Sequence, residues 1–341
     1  MIVHYTEEIK AANGYRQDYL DSVRKLVEKK LTACADVRTD RATFILRDPH
    51  AARKELIDMM GWPLTEQIKP PLSVERQLLK EENGVRLWRM KFEIFDDFHF
   101  YGTFFEHVGQ KLPFAVVQHG YGGTSEQCSG LFEMGTSIYN NMVQRVASKK
   151  VHAFAPQLLM WFPDRYDIDH ERIALDAKLK QFGGSITALE IYCLRSCLNY
   201  FENLDCVDGD KMGMVGLSYG GYFTLHTMAL EQRLKAGICC CYFNDRTKHI
   251  FPDWTWLNAA KKFLDSEVAL LCAPRPLWIA LGNRDDTIKA DTGTEEFARL
   301  KQELALAGAD DSWLSFHIFD GQHEFCPEDT LIDTFVQALM K

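Results

Sequence analysis

Lys211-Met212-Gly213-Met214-Val215-Gly216-Leu217-Ser218-Tyr219-Gly220-Gly221-Tyr222-Phe223-Thr224-Leu225-His226 is an apolar run, a serine flanked by glycines, and a second apolar run. It reads as a strand, a tight turn with serine at its apex, and a helix, the arrangement that lifts a hydroxyl out of the backbone as a nucleophile. The turn strains the serine and draws strand and helix together, so side chains two residues to either side would collide and glycine is needed there. Ser218 is the candidate nucleophile.

The pentapeptide alone occurs too often by chance to decide anything. Its context decides, because such a serine needs an imidazole to take its proton, a carboxylate to orient the imidazole and backbone donors for an oxyanion, with the triad in chain order serine, acid, histidine. Pro276 to Leu281 reads as a buried strand running into Gly282-Asn283-Arg284-Asp285, which places a carboxylate just past the strand end. Trp313 to Phe319 reads as the next strand, and Asp320-Gly321-Gln322-His323 puts an imidazole in the loop after it. Pro113 to Gln118 is an earlier strand ending at His119-Gly120-Tyr121-Gly122-Gly123, whose glycines free backbone N–H groups to face a ligand. The backbone N–H groups of Tyr121 and Tyr219 are the expected oxyanion donors. Asp285 is preferred as the acid over Asp286 and Asp245 from its spacing to Gly282 and Ile288, and His119 is expected to hold its loop.

On these motifs, together with Ala273-Pro274-Arg275-Pro276-Leu277 and Gly321-Gln322-His323-Glu324-Phe325, the chain from about residue 50 resembles the α/β-hydrolase superfamily, in its dienelactone hydrolase and acetyl xylan esterase-like branch. The resemblance implies an α/β fold, a mostly parallel doubly wound sheet, and a serine hydrolase acting on short-chain esters through an acyl-enzyme on Ser218. An acetylated carbohydrate is the leading substrate. A carbon-carbon bond hydrolase or a prolyl oligopeptidase-like peptidase could use the same triad. The carbohydrate and cephalosporin deacetylases of a neighbouring branch carry Arg-Gly-Gln at the oxyanion strand and glutamine after the serine. Here His119-Gly120-Tyr121 and Tyr219 stand in those places.

Composition bounds the other possibilities. The 341 residues are 46% hydrophobic and 26% charged, with a net charge of −9, which disfavours nucleic acid or an anionic membrane as partner. No stretch reads as a membrane span and the start does not read as a signal peptide, so a cytoplasmic protein is expected, with a small-molecule ester as partner and a homo-oligomer as an open possibility. The ten cysteines read as reduced thiols. Cys239-Cys240-Cys241 alternate faces of a strand and cannot converge on one metal, Cys128 is a remote rival nucleophile, and neither a metal nor a cofactor is expected.

Residues 1–75 read as a helical N-terminal segment, with Asp48-Pro49 as a helix start, and residues 76–341 as the catalytic domain. The segment is expected to lie beside the strands' carboxyl ends or to form a subunit contact. From Val85 the pattern takes period two, and thereafter strands alternate with helices, expected at residues 126–149, 187–201, 219–230, 294–307 and 327–339. Thr292 with Glu295 reads as a capping box. Two insertions beyond strand ends, Leu158 to Tyr166 and Asn244 to Trp256, mix rings with polar groups, and Trp161, Phe162, Asn244 and Trp254 are the candidate pocket residues.

Overall fold

The computed structural model describes residues 4–132 and 137–341. Among the described residues nine strands form one sheet: β1 (Ser73–Glu82), β2 (Val85–Phe95), β3 (Phe98–His107), β4 (Leu112–Gln118), β5 (His152–Pro156), β6 (Val207–Leu217), β7 (Leu234–Cys240), β8 (Leu277–Gly282) and β9 (Leu314–Phe319). Their order is β1-β2-β3-β5-β4-β6-β7-β8-β9. The first three strands and the β3/β5 pair are antiparallel, and every pair from β5/β4 to β8/β9 is parallel.

Parallel strands must be covered on both faces, and their composition answers that need. Every residue of β5 is buried, and in β7 only Lys235 is exposed. β1, at the sheet's edge, has no buried residue. On one face Phe201, from the helix Ile186–Phe201, gathers Phe114, Phe104 and Phe154 at ring-centroid distances of 4.5, 4.9 and 4.9 Å. On the other, the helices Met142–Ser148 and Asp329–Met340 bury Met142, Val143, Ile332 and Phe335 against the sheet.

The chain leaves β4 for β5 on one side, and β6 lies on the other with Gln118 in register with Gly216. A crevice therefore opens at the carboxyl ends of β4 and β6, where the connections diverge and ligands of such sheets bind. The His119–Gly123 loop and Ser218 are the residues that follow those two strand ends.

Three helices precede β1. Asp48 caps the helix Pro49–Met60 by accepting from the Ala51 N–H at 3.0 Å, with Pro49 in the first turn, as its sequence implies. That helix and Arg38–Arg47 bury Ala42, Ile45, Ala52, Leu56 and Met60, whereas Asn13–Ala35 buries no residue. The placement differs from the first of the two expectations, that the segment lies beside the strands' carboxyl ends. Arg53 donates to the carbonyl of Ala229, at the end of the helix Tyr219–Leu230 remote from Ser218, and to that of Leu271, so this part of the segment does not narrow the crevice.

Two further expectations are corrected. The region read as one helix over 126–149 holds two short ones, Ser125–Cys128 and Met142–Ser148, with residues 133–136 outside the described residues. The capping box at Thr292 does not form, because the helix Ala290–Leu306 starts earlier and the Thr292 hydroxyl donates to the Lys289 carbonyl within its first turn. Among the described residues no helix is long and apolar enough to cross a membrane.

Arg38 is tied by 2.9 Å contacts to Glu267 and Glu296, both nearly fully buried, and Arg299 reaches the same two carboxylates at 3.1 and 2.7 Å. Removing one partner of such a cluster leaves uncompensated buried charge. Arg38→Ala is expected to lower unfolding stability by about 3 kcal/mol, the lower end of the range for a broken buried pair because Arg299 remains. Urea denaturation measures this, and a loss below about 1 kcal/mol, the size of a surface pair, would refute it.

Candidate active site

Ser218 has φ 59° and ψ −120°, a left-handed conformation that costs a non-glycine residue about 1–3 kcal/mol. Its surroundings impose that geometry. The Ser218 N–H donates to the Cys240 carbonyl at 2.8 Å, and its own carbonyl accepts from the Tyr222 N–H at 3.0 Å as the helix Tyr219–Leu230 begins. A Cβ on Gly216 would lie 2.0 Å from the Gly220 carbonyl oxygen, and one on Gly220 would lie 2.0 Å from that of Gln118. The glycines are thus required by close backbone approach to both the helix and the neighbouring strand.

The loops after β8 and β9 are stitched together by backbone bonds, from Asn283 N–H to the Phe319 carbonyl and from Arg284 N–H to the Gly321 carbonyl, each 2.9 Å. This pairing sets His323 Nδ1 2.7 Å from Asp285 Oδ2. The other carboxylate oxygen accepts from the Thr287 and Ile288 N–H groups, both at 2.8 Å. Burial would raise the Asp285 pKa, but the hydrogen bond and charge of His323 and the two backbone donors together hold it below the ordinary aspartate range. An ionised Asp285 accepts only, so Nδ1 of His323 carries the proton of this hydrogen bond. Asp286 is exposed, and Asp245 is spent on the Thr247 N–H and hydroxyl at 2.9 and 2.7 Å, so neither takes that place. The Ser218 hydroxyl makes no hydrogen bond among the described residues.

His119 orders the loop above Ser218. Its Nε2 accepts from the Leu158 N–H at 3.0 Å, which fixes the proton on Nδ1, and Nδ1–H donates to the Gly120 carbonyl at 2.8 Å. A Cβ on Gly120 would sit 2.9 Å from the Ser218 Cβ, so the loop passes directly over the serine. The Gly122 and Gly123 N–H groups are engaged by the Met160 and Gly120 carbonyls, leaving that of Tyr121, the residue just before them, without a backbone partner among the described residues. The Tyr219 N–H lies in the first helical turn, where intrahelical acceptors are lacking.

The four candidate pocket residues separate. Phe162, 47% exposed, stands edge-on to the exposed Tyr121 ring at 5.6 Å, beside the loop that passes over Ser218. Trp161 bridges to Gly122, donates Nε1–H to the Ile168 carbonyl at 2.7 Å, and walls a cavity of about 480 Å³ whose lining includes Phe98, Phe100, Leu158 and Phe182 but not Ser218, Tyr121 or His323. Asn244 is buried and its side chain holds the Lys289 carbonyl at 3.2 Å. Trp254 is also buried, stacked on Tyr219 at 4.4 Å, so it offers no open face to a ligand. Cys128 is fully enclosed and burial drives its thiol pKa far up, the opposite of an activated nucleophile.

A polar cluster behind Tyr219 escaped the sequence. The Tyr219 hydroxyl donates to Asp253 at 2.8 Å, Arg172 donates to Asp253 at 2.6 Å and to both oxygens of Glu190 at 2.9 Å, and Glu190 accepts from the Leu159 N–H at 2.9 Å. It ties the residue after Ser218 to the loop that carries Trp161. Arg172, Glu190 and Asp253 are far apart in sequence and each reads as an ordinary surface charge. Their one cue is the place of Asp253 among the rings of Phe251, Trp254 and Trp256.

Burial lowers the His119 pKa to about 4, so the folded protein keeps this imidazole neutral. An unfolded histidine titrates near 6.5, so between about pH 6.5 and 4 the unfolded chain binds the extra proton and stability falls with pH, by up to about 3 kcal/mol for this one group. Urea midpoints are expected to drop as pH is lowered through that window, with no chemical-shift titration of the His119 ring between pH 7.5 and 5. A ring titrating near pH 6.5 in the folded protein would contradict this.

No family model matches the chain. The YtaP protein of Bacillus subtilis, assigned as a hydrolase, is 24% identical over 293 residues, spanning 80% of this chain and 93% of that one. Among solved structures, a Bacteroides fragilis protein assigned as an acetyl xylan esterase aligns over 84% of this chain and 81% of its own, with 14% identity and a TM-score of 0.65. A glucuronoyl esterase from Solibacter usitatus aligns over 86% and 92%, with 13% identity and a TM-score of 0.61. Acetyl Xylan Esterase 1 from Thermoanaerobacterium aligns over 86% and 94%, with 15% identity and a TM-score of 0.55. These matches cover 80% or more of the chain, and with the divergence of connections at β4 and the strand-turn-helix at Ser218 they establish that the chain has the α/β-hydrolase fold.

Proposed function

We propose that this chain is a serine carboxylesterase that cleaves short acyl esters through an acyl-enzyme on Ser218. The observation that carries the reading is the left-handed Ser218 at the head of a helix, in one sheet with a His323–Asp285 pair hydrogen-bonded at 2.7 Å. In this mechanism Nε2 of His323 takes the Ser218 proton as the oxygen attacks the ester carbonyl, and Asp285 steadies the imidazolium that forms. The Tyr121 and Tyr219 backbone N–H groups receive the oxyanion. The proton then passes to the departing alcohol, and a water activated by the same imidazole releases the acid. The Ser218–His323 hydrogen bond is one that such sites commonly tighten only around substrate.

Carbohydrate esters are the favoured substrates, as the acetyl xylan and glucuronoyl esterases of like fold suggest. The aromatic faces that could stack on a sugar are those of Tyr121 and Phe162, in place of the buried Trp254. The apolar cavity behind Trp161 does not include Ser218, so it argues for no long acyl chain at the reacting carbon. All ten cysteines are unpaired, which suits a reducing cytoplasm.

Ser218→Ala and His323→Ala are each expected to lower turnover of p-nitrophenyl acetate by roughly 10⁴- to 10⁶-fold, with little further loss in the double variant, because the two act as a unit. Multiplicative losses would argue against a shared mechanism.

Across p-nitrophenyl esters from acetate to palmitate, kcat/KM is expected to peak at two to four carbons, with acetate released from acetylated oligosaccharides. A maximum at eight carbons or longer would overturn the short-chain reading. Cleavage of β-diketones or amides without ester turnover would replace the esterase reading altogether.

A further inference from the structure

Cys241 is the last of the three consecutive cysteines, and the structure gives it a place that its neighbours do not have. It follows β7 with φ 48°, a left-handed conformation unusual for a cysteine, and is held there by its N–H bond to the Ala280 carbonyl at 2.7 Å. The bend sets its sulfur beside the two loops that meet after β8 and β9, with Sγ 3.3 Å from the Glu324 carbonyl oxygen. Sγ of Cys241, a carboxylate oxygen of Asp285 and a ring nitrogen of His323 then all lie within 4.8 Å of one another. The bend ends the strand's alternation, so that Sγ of Cys240 and Sγ of Cys241 lie 4.0 Å apart rather than on opposite faces. Alternation therefore does not keep Cys241 from joining ligands that other loops supply.

We propose that Cys241, Asp285 and His323 form a site for zinc(II), and that its occupancy switches the hydrolase off. A thiolate, an imidazole and a carboxylate are the donor types zinc selects, and a thiolate disfavours the hard cations magnesium and calcium. At zinc–ligand distances of about 2.0–2.3 Å, tetrahedral donors stand about 3.3–3.7 Å apart, so donors within 4.8 Å need shift by no more than about 1.5 Å, the 2.7 Å pair of His323 Nδ1 and Asp285 opening by up to about 1 Å where Nδ1 coordinates, with the fourth position left to water. His323 is 20% exposed at the side chain while Asp285 is fully enclosed, so the ion enters past the imidazole edge.

Binding forms the zinc–sulfur bond and releases the Cys241 thiol proton to solvent. The imidazole is disabled whichever nitrogen coordinates. Bound through Nε2, it gives up the lone pair that would take the Ser218 proton. Bound through Nδ1, it loses the hydrogen bond to Asp285, and the remaining ring proton must reside on Nε2. The switching-off rests on the esterase reading of the site, whereas the binding of metal does not.

Cobalt(II) reports the site directly, because a cobalt-bound thiolate has a charge-transfer absorption that needs no turnover. One equivalent of cobalt is expected to give this band with the full-length protein, and zinc to displace it. Cys241→Ser and Cys241→Ala are expected to lose the band and weaken zinc binding by on the order of a hundredfold or more. The second cluster of metal-binding groups, His317, Cys326 and Glu328, supplies the control, since Cys326→Ser should leave the band in place. Zinc should inhibit ester hydrolysis by the unsubstituted protein, with inhibition reversed by a chelator. In the Cys241 variants the inhibition constant, taken relative to each variant's own metal-free rate, should rise in parallel with the binding constant. Absence of the band, its survival in both folded Cys241 variants, or its loss in Cys326→Ser would overturn the site. A Cys241-dependent cobalt band in a protein that, once stripped of metal, turns over no ester would uphold the site and overturn the esterase reading instead.

Discussion

The backbone of the helix Tyr219–Leu230 is forced against the backbone of β4, and the geometry of the site follows from that approach. The place where a Gly220 side chain would begin is 2.0 Å from the Gln118 carbonyl oxygen, so helix and strand touch with nothing between them. The contact turns the chain sharply at Ser218 and points the first helical N–H groups across the β4/β6 crevice. It also brings Gly120, from the loop after β4, within contact of the Ser218 side chain. Ser218 and the His119–Gly123 loop thus owe their relative position to main-chain contacts, which no side-chain rotation can relax.

Side chains then determine what this backbone frame can do, and they do so in two layers. Beside the crevice, His119 and Asp285 each have their protonation fixed by backbone partners, Leu158 and Gly120 for the first, Thr287 and Ile288 for the second. Behind it, Arg172 joins Asp253 and Glu190 in a buried charge cluster that holds the Tyr219 hydroxyl, while Trp254 stacks on the Tyr219 ring. Breaking such a cluster is costly even where forming it gains little, so its main effect is to make one arrangement of the Tyr219 side chain far better than any other.

What could be read from sequence was whatever has a local signature. Ser218, Asp285, His323 and the His119–Gly123 loop each follow an apolar strand, and a parallel sheet gathers the residues after its strands at one edge. The helix start at Asp48 was legible for the same reason, since cap and proline are adjacent. The charge cluster was not, because Arg172, Glu190 and Asp253 meet only through tertiary packing. Rings in loops were half legible: Phe162 lies open beside the loop over Ser218, but Trp254 is turned inward onto Tyr219, and composition alone does not distinguish the two. β1 and β3 were missed since their residues alternate weakly, β1 lying exposed at the edge of the sheet.

Two residues of the site sit in backbone conformations that glycine or asparagine would fill more comfortably. Ser218 at φ 59° and Cys241 at φ 48° follow the carboxyl ends of neighbouring parallel strands, and the Ser218 N–H bond to the Cys240 carbonyl links one bend to the other. Each is strained by about 1–3 kcal/mol, and such strain persists only where surrounding structure over-determines it. Here β6 and β7 lie inside the sheet, paired on both edges, and the N–H groups of both bent residues are spent on carbonyls of the next strand, Cys240 for one and Ala280 for the other. Neither can relax without breaking a buried backbone hydrogen bond, so the bends at Ser218 and Cys241 are both held by the pairing of the sheet itself.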